Sequence, residues 1–442
     1  MARLGSTKST DGPLRVLYSF PHKIGAGRIC STAWQQVAGL VARGVDVTVF
    51  PGAVRREIPG ALSVFPTLAR GKFRVPYKVL GTMRACRLHD WIVSGRIEKM
   101  PGRFDVVHTW PLGALRTIKA ARRCGIPTVL ERPNAHTSFA FRVVETECNR
   151  LGLSMPAFHD HAYSAKILER EIAEYEAADR LLCPSDFVLR TFVAQGVGTE
   201  KLARHQYGFD PSIYYPRSTG EQRGLRQFTA LFVGECSPRK GLHYALQAWL
   251  DSTASRDGVF LIAGEFLRGY DQTLARYLEH PSIRILGHRT DVPQLMRSSD
   301  VLILPTVEEG SALVTYEARG SGCVLVVSNA AGAICRHLED GLVHDAGDVA
   351  ALAKHLNMLH QGPELLSRLR EASLRTVEEL TWAAATTRLI QVYRSVLEET
   401  NDSPARTESP ADTAEGRLEP PASNQDQETV LIRQDAMNAR HV

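Results

Sequence analysis

Short runs of Val, Ile, Leu and Phe recur along this 442-residue chain, separated by longer stretches in which apolar positions return every three or four residues. The runs read as buried strands and the stretches as amphipathic helices, so the alternation predicts an α/β fold of parallel sheets with crossover helices. The first unit shows the logic. Leu14–Phe20 is a strand and Pro21–Cys30 a glycine-containing loop. Ser31 is the expected N-cap of a helix whose Trp34, Val37, Ala38 and Val41 share one face until Gly44 ends it. Val45–Phe50 closes the βαβ unit. Further strands are expected at Asp105–Val107, Thr128–Leu130 and Arg180–Cys183, with a long charged helix from Tyr163 to Ala178. After a Pro- and Gly-marked connection, Gly208–Gly224, the pattern restarts. Strands at Ala230–Val233, Val259–Ala263, Ile283–Leu286, Val301–Leu304 and Val324–Val327 alternate with helices near 241–250, 291–298, 312–320 and 348–360. Two doubly wound, Rossmann-like domains are the simplest reading. Ligands of such sheets sit outside the carboxyl ends of the strands, which places the expected site in a cleft between facing domains.

The length agrees, since single hydrophobic cores stop growing at about 250–300 residues. With 44% hydrophobic and 23% charged residues the chain is neither fibrous nor disordered as a whole. Its eight cysteines form no C-x-x-C pair and no zinc-like spacing with histidine, which fits a reducing compartment. The first ten residues lack the apolar core of a secretory signal, and no run approaches the roughly 18 apolar residues needed to cross a bilayer. A cytoplasmic location is therefore expected. The net charge of +5 hides an uneven distribution. Residues 400–442 carry four arginines against eight carboxylates, net −4, among prolines and small polar residues, and read as a disordered acidic tail. Residues 55–103 carry eleven Lys and Arg against three acids, net +8, with Phe65, Phe73, Tyr77 and Trp91 interleaved. That stretch is either a solvated basic face or a surface drawn to anionic lipid headgroups, each cation contributing about 1 kcal/mol. No recognition motif points to nucleic acid.

Three strand-to-helix junctions carry candidate chemistry. Lys23–Arg28, with Gly25 and Gly27, suits an anion held by backbone N–H groups, but Cys30 and Phe50 stand where a dinucleotide fingerprint needs a glycine and an acid. Val233–Gly241 brings Arg239 and Lys240 to the start of a helix, against its dipole, which favours a functional role for them. Most informative is Val301–Ala318, a buried strand followed by an acidic loop and a helix. There Glu309 and Glu317 stand eight positions apart, able to face one cleft and accept hydrogen bonds from sugar or ribose hydroxyls. His159-Asp160-His161 lacks the third ligand that a metal site would require. No Asp-x-Asp stands at a strand end, so no metal is expected, and charge on a departing diphosphate would be met by cations and helix amides.

The Glu309-to-Glu317 spacing resembles the E-x7-E motif of glycosyltransferase family 4, retaining enzymes of the GT-B fold. Arg239-Lys240-Gly241 resembles that family's donor-phosphate loop. Asp105-Val106-Val107-His108, Ala178-Asp179-Arg180 to Pro184-Ser185, Gly208-Phe209-Asp210, Ala263-Gly264 and Leu286-Gly287 match in order, over roughly residues 14–398. The resemblance implies a disordered tail at 1–13, an acceptor-side domain at 14–207, and a linker at 208–224. A donor-binding domain at 225–378 would follow, then a helix at 379–399 crossing back to the first domain and the tail from 400.

By the same resemblance, Glu317 would bind the ribose, and Glu309 with the amides of Gly310, Ser311, Ala312 and Leu313 the donor sugar and diphosphate. Lys240 would stabilise the leaving phosphate, and Gly25 and Gly27 would approach the diphosphate from the other domain. His136 would face the donor sugar, and Gly287, His288 and Arg289 would lie near the base. Lys240, Glu309 and His136 are thus the expected catalytic residues. Two positions depart from the family pattern. Glu235 stands where the family usually has an arginine, with Arg239 as the candidate replacement, and the common Glu-Gly-Phe-Gly reads Glu309-Gly310-Ser311-Ala312. The implied activity is transfer of a hexose from a nucleotide-diphosphate sugar to a saccharide or lipid-linked acceptor, in cell-envelope polysaccharide or glycolipid synthesis. The protein would lie peripherally at the inner face of the membrane, through 55–103. The alternatives are a GT-B sugar-nucleotide epimerase or hydrolase, or a non-catalytic partner subunit keeping the fold.

Overall fold

The computed structural model describes residues 12–61, 63–70, 73–74, 80–157, 159–217 and 227–402. The first lobe is built on β1 (Arg15–Ile24), β2 (Asp46–Val54), β3 (Ser63–Val64), β6 (Val106–Thr109), β7 (Thr128–Glu131), β8 (Arg180–Cys183) and β9 (Leu202–Arg204). They form one parallel sheet in the order β3-β2-β1-β6-β7-β8-β9, while β4 (Ala69–Arg70) and β5 (Phe73–Arg74) make a small antiparallel hairpin. The second lobe is built on β10 (Thr229–Val233), β11 (Val259–Ala263), β12 (Ile283–Gly287), β13 (Val301–Leu304), β14 (Val324–Ser328) and β15 (Gly341–His344). Its order is β12-β11-β10-β13-β14-β15, all parallel. Strands such as Val301–Leu304 are buried along their whole length, because helices cover both faces of each sheet, and this explains their unbroken apolar sequence. The expected α/β architecture of two doubly wound lobes is the one observed.

Local differences have physical causes. β1 continues through Pro21 to Ile24, and the first helix already starts at Ile29, with Arg28 at its N-cap, so Ser31 lies inside the helix. Arg28 holds φ 49°, a conformation that a side chain disfavours and that a turn between Gly25 and Gly27 and a helix imposes. Gly44, at φ 77°, ends the helix as expected. Among the described residues five strands were not anticipated: β3, β9 and β15, which are short sheet edges defined by pairing rather than by hydrophobic pattern, and the hairpin β4–β5. Most of the expected tails, the later part of 208–224 and the side chains of 70–79 lie outside the described residues.

The described residues up to Thr400 form one compact unit. Two chain crossings join its lobes side by side. The Phe209 N–H donates to the Leu380 carbonyl at 3.1 Å and the Trp382 N–H to the Phe209 carbonyl at 3.2 Å. Gly208 permits this approach, since a Cβ there would lie 2.5 Å from the Thr381 carbonyl carbon. Helix Trp382–Asp402 then returns to the first lobe as expected, where Leu389, Tyr393 and Val396 complete the core around Val16, Tyr18 and Val106. Arg180 and Glu399 pair at its far end.

The Tyr393 hydroxyl lies 2.7 Å from His108 Nδ1, both groups fully buried. Tyr393→Phe leaves that nitrogen without its partner in the core, and the expected loss is about 1–3 kcal/mol in urea unfolding. An unchanged midpoint would mean that this bond does not anchor the returning helix.

Candidate active site

Two junctions of the second lobe are pressed together. After β10, Gly234 leads into a 3-10 turn, Pro238–Lys240, and Gly241 in the left-handed region (φ 68°) starts helix Leu242–Asp251. A Cβ on Gly241 would lie 2.0 Å from the Pro305 carbonyl oxygen, at the end of β13. Arg239 and Lys240 therefore sit in a 3-10 turn just before the α-helix, not in its first turn as expected. They face carboxylates instead. Arg239 Nη1 donates to the Glu308 carbonyl at 2.9 Å, to Glu308 Oε2 at 3.1 Å and to Glu309 Oε2 at 3.2 Å, while Lys240 Nζ donates to Glu309 Oε2.

The first lobe closes on this cluster. The Ala135 N–H donates to Glu308 Oε1 at 3.1 Å, and the Ser185 hydroxyl donates to the Gly310 carbonyl. Gly310 lies so close to the Pro133 carbonyl oxygen that a Cβ would stand 1.6 Å away, so no other residue fits. Burial works to raise the Glu309 carboxyl, but the Arg239 and Lys240 charges outweigh it and hold the group below its ordinary range. Burial dominates at Glu308, whose carboxyl is raised, and at Lys240, whose ammonium is lowered. The loop continues through Ser311, whose hydroxyl lies 2.8 Å from the Tyr316 hydroxyl, to Ala312 as N-cap of helix Leu313–Gly320.

Glu317 lies in that helix, hydrogen-bonded by the Tyr214 phenol. Burial raises its carboxyl to about 7, the Tyr214 bond opposing only in part. Gly25 and Gly27 take left-handed conformations (φ 78° and 91°) at the tip of the first junction, Gly25 against Arg56. Gly287 (φ 63°) ends β12, His288 and Arg289 are exposed beyond it, and Arg289 is engaged by Asp291 at 2.6 Å. His136 caps helix Thr137–Arg150, and its ring is turned into the first lobe, 5.3 Å from Tyr175 and 5.0 Å from Phe192 between centroids, with Nδ1 2.9 Å from the Ser138 hydroxyl. Burial and then Arg132 lower it to about 4.

Residues not anticipated join the cluster from both lobes. Glu308 is its buried centre, and the doubled acid at the end of a buried strand was its only signal in sequence. From the first lobe, His161 Nδ1 lies 3.8 Å from Glu308 Oε2, and His159 Nε2 donates to Glu235 Oε2 at 3.1 Å. Among the described residues no three His, Cys, Asp or Glu side chains are grouped as a metal site.

Two parallel sheets of this order are the architecture of the GT-B fold, and comparison with known proteins adds the class of activity. Residues 31–213 match the model of "Glycosyltransferase Family 4", and residues 227–361 that of "Glycosyl transferases group 1". D-inositol 3-phosphate glycosyltransferase of Thermomonospora curvata is 24% identical over 398 residues, covering 82% of this chain and 89% of that one. Sucrose-phosphate synthase of Thermosynechococcus elongatus superposes with a TM-score of 0.63 at 16% identity, over 88% of this chain and all of that one. Anabaena HepE in complex with UDP-glucose gives 0.61 at 16% identity, over 86% of this chain and 100% of that one. The two models together span both lobes, and the chain is a family 4-type glycosyltransferase, an enzyme that transfers glycosyl groups.

The Glu317 carboxyl, at about 7 when folded against an ordinary 4.5, binds an extra proton in the native state between those values, so its contribution to folding is lost as pH rises through that window. Glu317→Gln is expected to raise the Tm at pH 8, by a free energy on the order of 1–3 kcal/mol, and to leave it nearly unchanged at pH 4. A gain of equal size at both pH values would show that the stabilisation is not electrostatic.

Proposed function

We propose that the protein is a retaining hexosyltransferase that moves a sugar from a nucleotide-diphosphate donor to a hydroxyl of a saccharide or lipid-linked acceptor. The carrying observation is the cluster of Arg239, Lys240, Glu308 and Glu309 beside the start of helix Leu313–Gly320. In the reaction Lys240 leaves Glu309 for the departing diphosphate, and the amides of Gly310 to Leu313 add to that stabilisation. Glu309, released from the lysine, accepts from sugar hydroxyls, and Glu317 accepts from the ribose. Both loop carboxylates are engaged by cations, so neither is offered as a nucleophile. The acceptor oxygen bonds to the anomeric carbon on the face from which the phosphate oxygen leaves, and that oxygen takes the hydroxyl proton. The charge is met by side chains and amides, without a divalent ion. The UDP-glucose complex of HepE supports a uridine donor.

We read the acceptor as belonging to cell-envelope polysaccharide or glycolipid synthesis, met at an anionic membrane surface. Helices Thr82–Glu98 and Leu115–Arg123 support this with a groove of about 850 Å³ between them, lined by Arg87, Arg96, Lys99, Arg116 and Lys119. Trp91, 60% exposed, stands at its edge, as tryptophans do at headgroup level. No described helix is long and apolar enough to cross a membrane.

A thermal-shift screen against UDP-, GDP- and ADP-glucose is expected to raise the Tm with one base, and Lys240→Ala to lower kcat by about 10²–10³-fold with that donor. The product should keep the donor's anomeric configuration by NMR. Free nucleoside diphosphate released at the same rate without acceptor would make the enzyme a hydrolase instead. For the membrane reading, the full chain should sediment with phosphatidylglycerol vesicles and not with phosphatidylcholine. Reversing Arg87, Arg96 and Lys99 to Glu should abolish it, and unchanged sedimentation would discard that surface.

A further inference from the structure

Glu235 is a carboxylate on the wall where a diphosphate is expected, and resemblance alone would make it a missing cation. The structure gives it another occupation. His159 reaches from the first lobe to place Nε2 3.1 Å from Glu235 Oε2. His159 sits in a tight turn in which its own N–H donates to the Pro156 carbonyl at 2.8 Å, and the Ala162 N–H donates back to the His159 carbonyl at 2.9 Å. The His161 N–H donates to His159 Nδ1 at 3.2 Å, so Nδ1 carries the lone pair and Nε2 the proton that Glu235 accepts. One carboxylate thereby fixes both the tautomer of His159 and the path of the turn.

That turn delivers His161 to the cluster. The His161 side chain is 10% exposed and lies 3.8 Å from Glu308 Oε2, beyond hydrogen-bonding distance. Among the described residues neither of its ring nitrogens has a hydrogen-bond partner, and neither is sealed from solvent, so the ring keeps a donor and an acceptor free for a ligand. Burial, followed by the charges of Arg239, His159 and Lys240, holds it well below its ordinary pKa, so it is neutral. A neutral imidazole offers one donor and one acceptor without adding charge beside two cations. His136, the histidine indicated by resemblance, spends its ring on Tyr175 and Phe192 instead.

We propose that the turn His159–Asp160–His161 is the first lobe's wall of the donor site, with His161 hydrogen-bonding the transferred sugar or its phosphate and His159, set by Glu235, acting as a positioning residue. The inference rests on the glycosyl-transfer reading above.

The test uses the full-length enzyme and whichever of UDP-, GDP- or ADP-glucose raises its Tm. His161→Ala is expected to keep affinity for the free nucleoside diphosphate within about threefold and to lower kcat about tenfold or more, with His161→Gln recovering part of the loss. His159→Ala and Glu235→Ala should lower kcat similarly. Glu235→Gln, which can still accept from Nε2, should recover most of it. Glu235→Arg, which restores the family's cation but breaks the link, should be as poor as Glu235→Ala. A kcat for His161→Ala within twofold of wild type, or a Glu235→Arg enzyme faster than wild type, overturns the proposal. Nucleoside diphosphate affinity serves as the check on folding for each variant. If no nucleotide sugar shifts the wild-type Tm, the functional reading itself fails, an outcome separate from either of these.

Discussion

Four charged side chains meet between the lobes where little water reaches them, and much of the structure is arranged around that fact. Removing an ion from water costs several kcal/mol even after relaxation, so Arg239, Lys240, Glu308 and Glu309 are a poor way to gain stability. They persist because each satisfies another, and the arrangement is incomplete, since the buried Arg239 Nε has no partner among the described residues. Bringing the four together demands close backbone approach at two points, Gly241 against Pro305 and Gly310 against Pro133. Both points exclude a Cβ. The glycines thus set how near the charges come.

Keeping the lobes in register falls to contacts outside this cluster. Glu147, in helix Thr137–Arg150 of the first lobe, accepts from Tyr244 at 2.9 Å and lies 2.7 Å from His243, both of the second lobe. Arg150 reaches the same carboxylate at 2.8 Å, and Tyr270 closes the set 2.6 Å from His243 Nδ1. Tyr244 and His243 stand at the start of the helix that follows Lys240. At the opposite side the paired crossings at Phe209 and Thr381 join the lobes by backbone. Backbone crossings and a polar clasp thus hold the lobes at points separate from the charged cluster.

The central strands of both sheets were legible because they are buried on two faces and therefore written in apolar runs. Val259–Ala263 and Val301–Leu304 match to the residue. β15 was not, because Gly341–His344 acquires its identity from pairing with β14. The helix start at Ile29 was missed because a serine looks like a cap, whereas the turn geometry places Arg28 there. In the charged cluster and beside it, Glu309 and Glu317 were singled out in sequence by a spacing that one strand and one helix enforce, and Lys240 by a pair of cations at another strand-to-helix junction. His159 and Glu235 are 76 positions apart, and no local pattern announces their meeting. His161 was noticed in sequence and set aside because metal binding was the only role weighed for it.

Glu309 and Glu317 make a pair in sequence, yet the structure gives them opposite electrostatics. Glu309 faces two cations and is held ionised, while Glu317 faces a phenol in an apolar surround and titrates near 7. The same residue type is thereby fitted to two tasks. An ionised group tied to Lys240 can release that lysine to a phosphate and keep its own charge for hydroxyl donors. A group whose ionisation is opposed by burial gains when hydroxyl donors arrive, since each hydrogen bond to the carboxylate offsets desolvation already incurred in folding. Ribose hydroxyls are donors of that kind. In the proposed reaction the cost stored at Glu317 would be recovered on nucleotide binding, whereas the cluster at Glu309 would act later, when charge develops on the departing diphosphate.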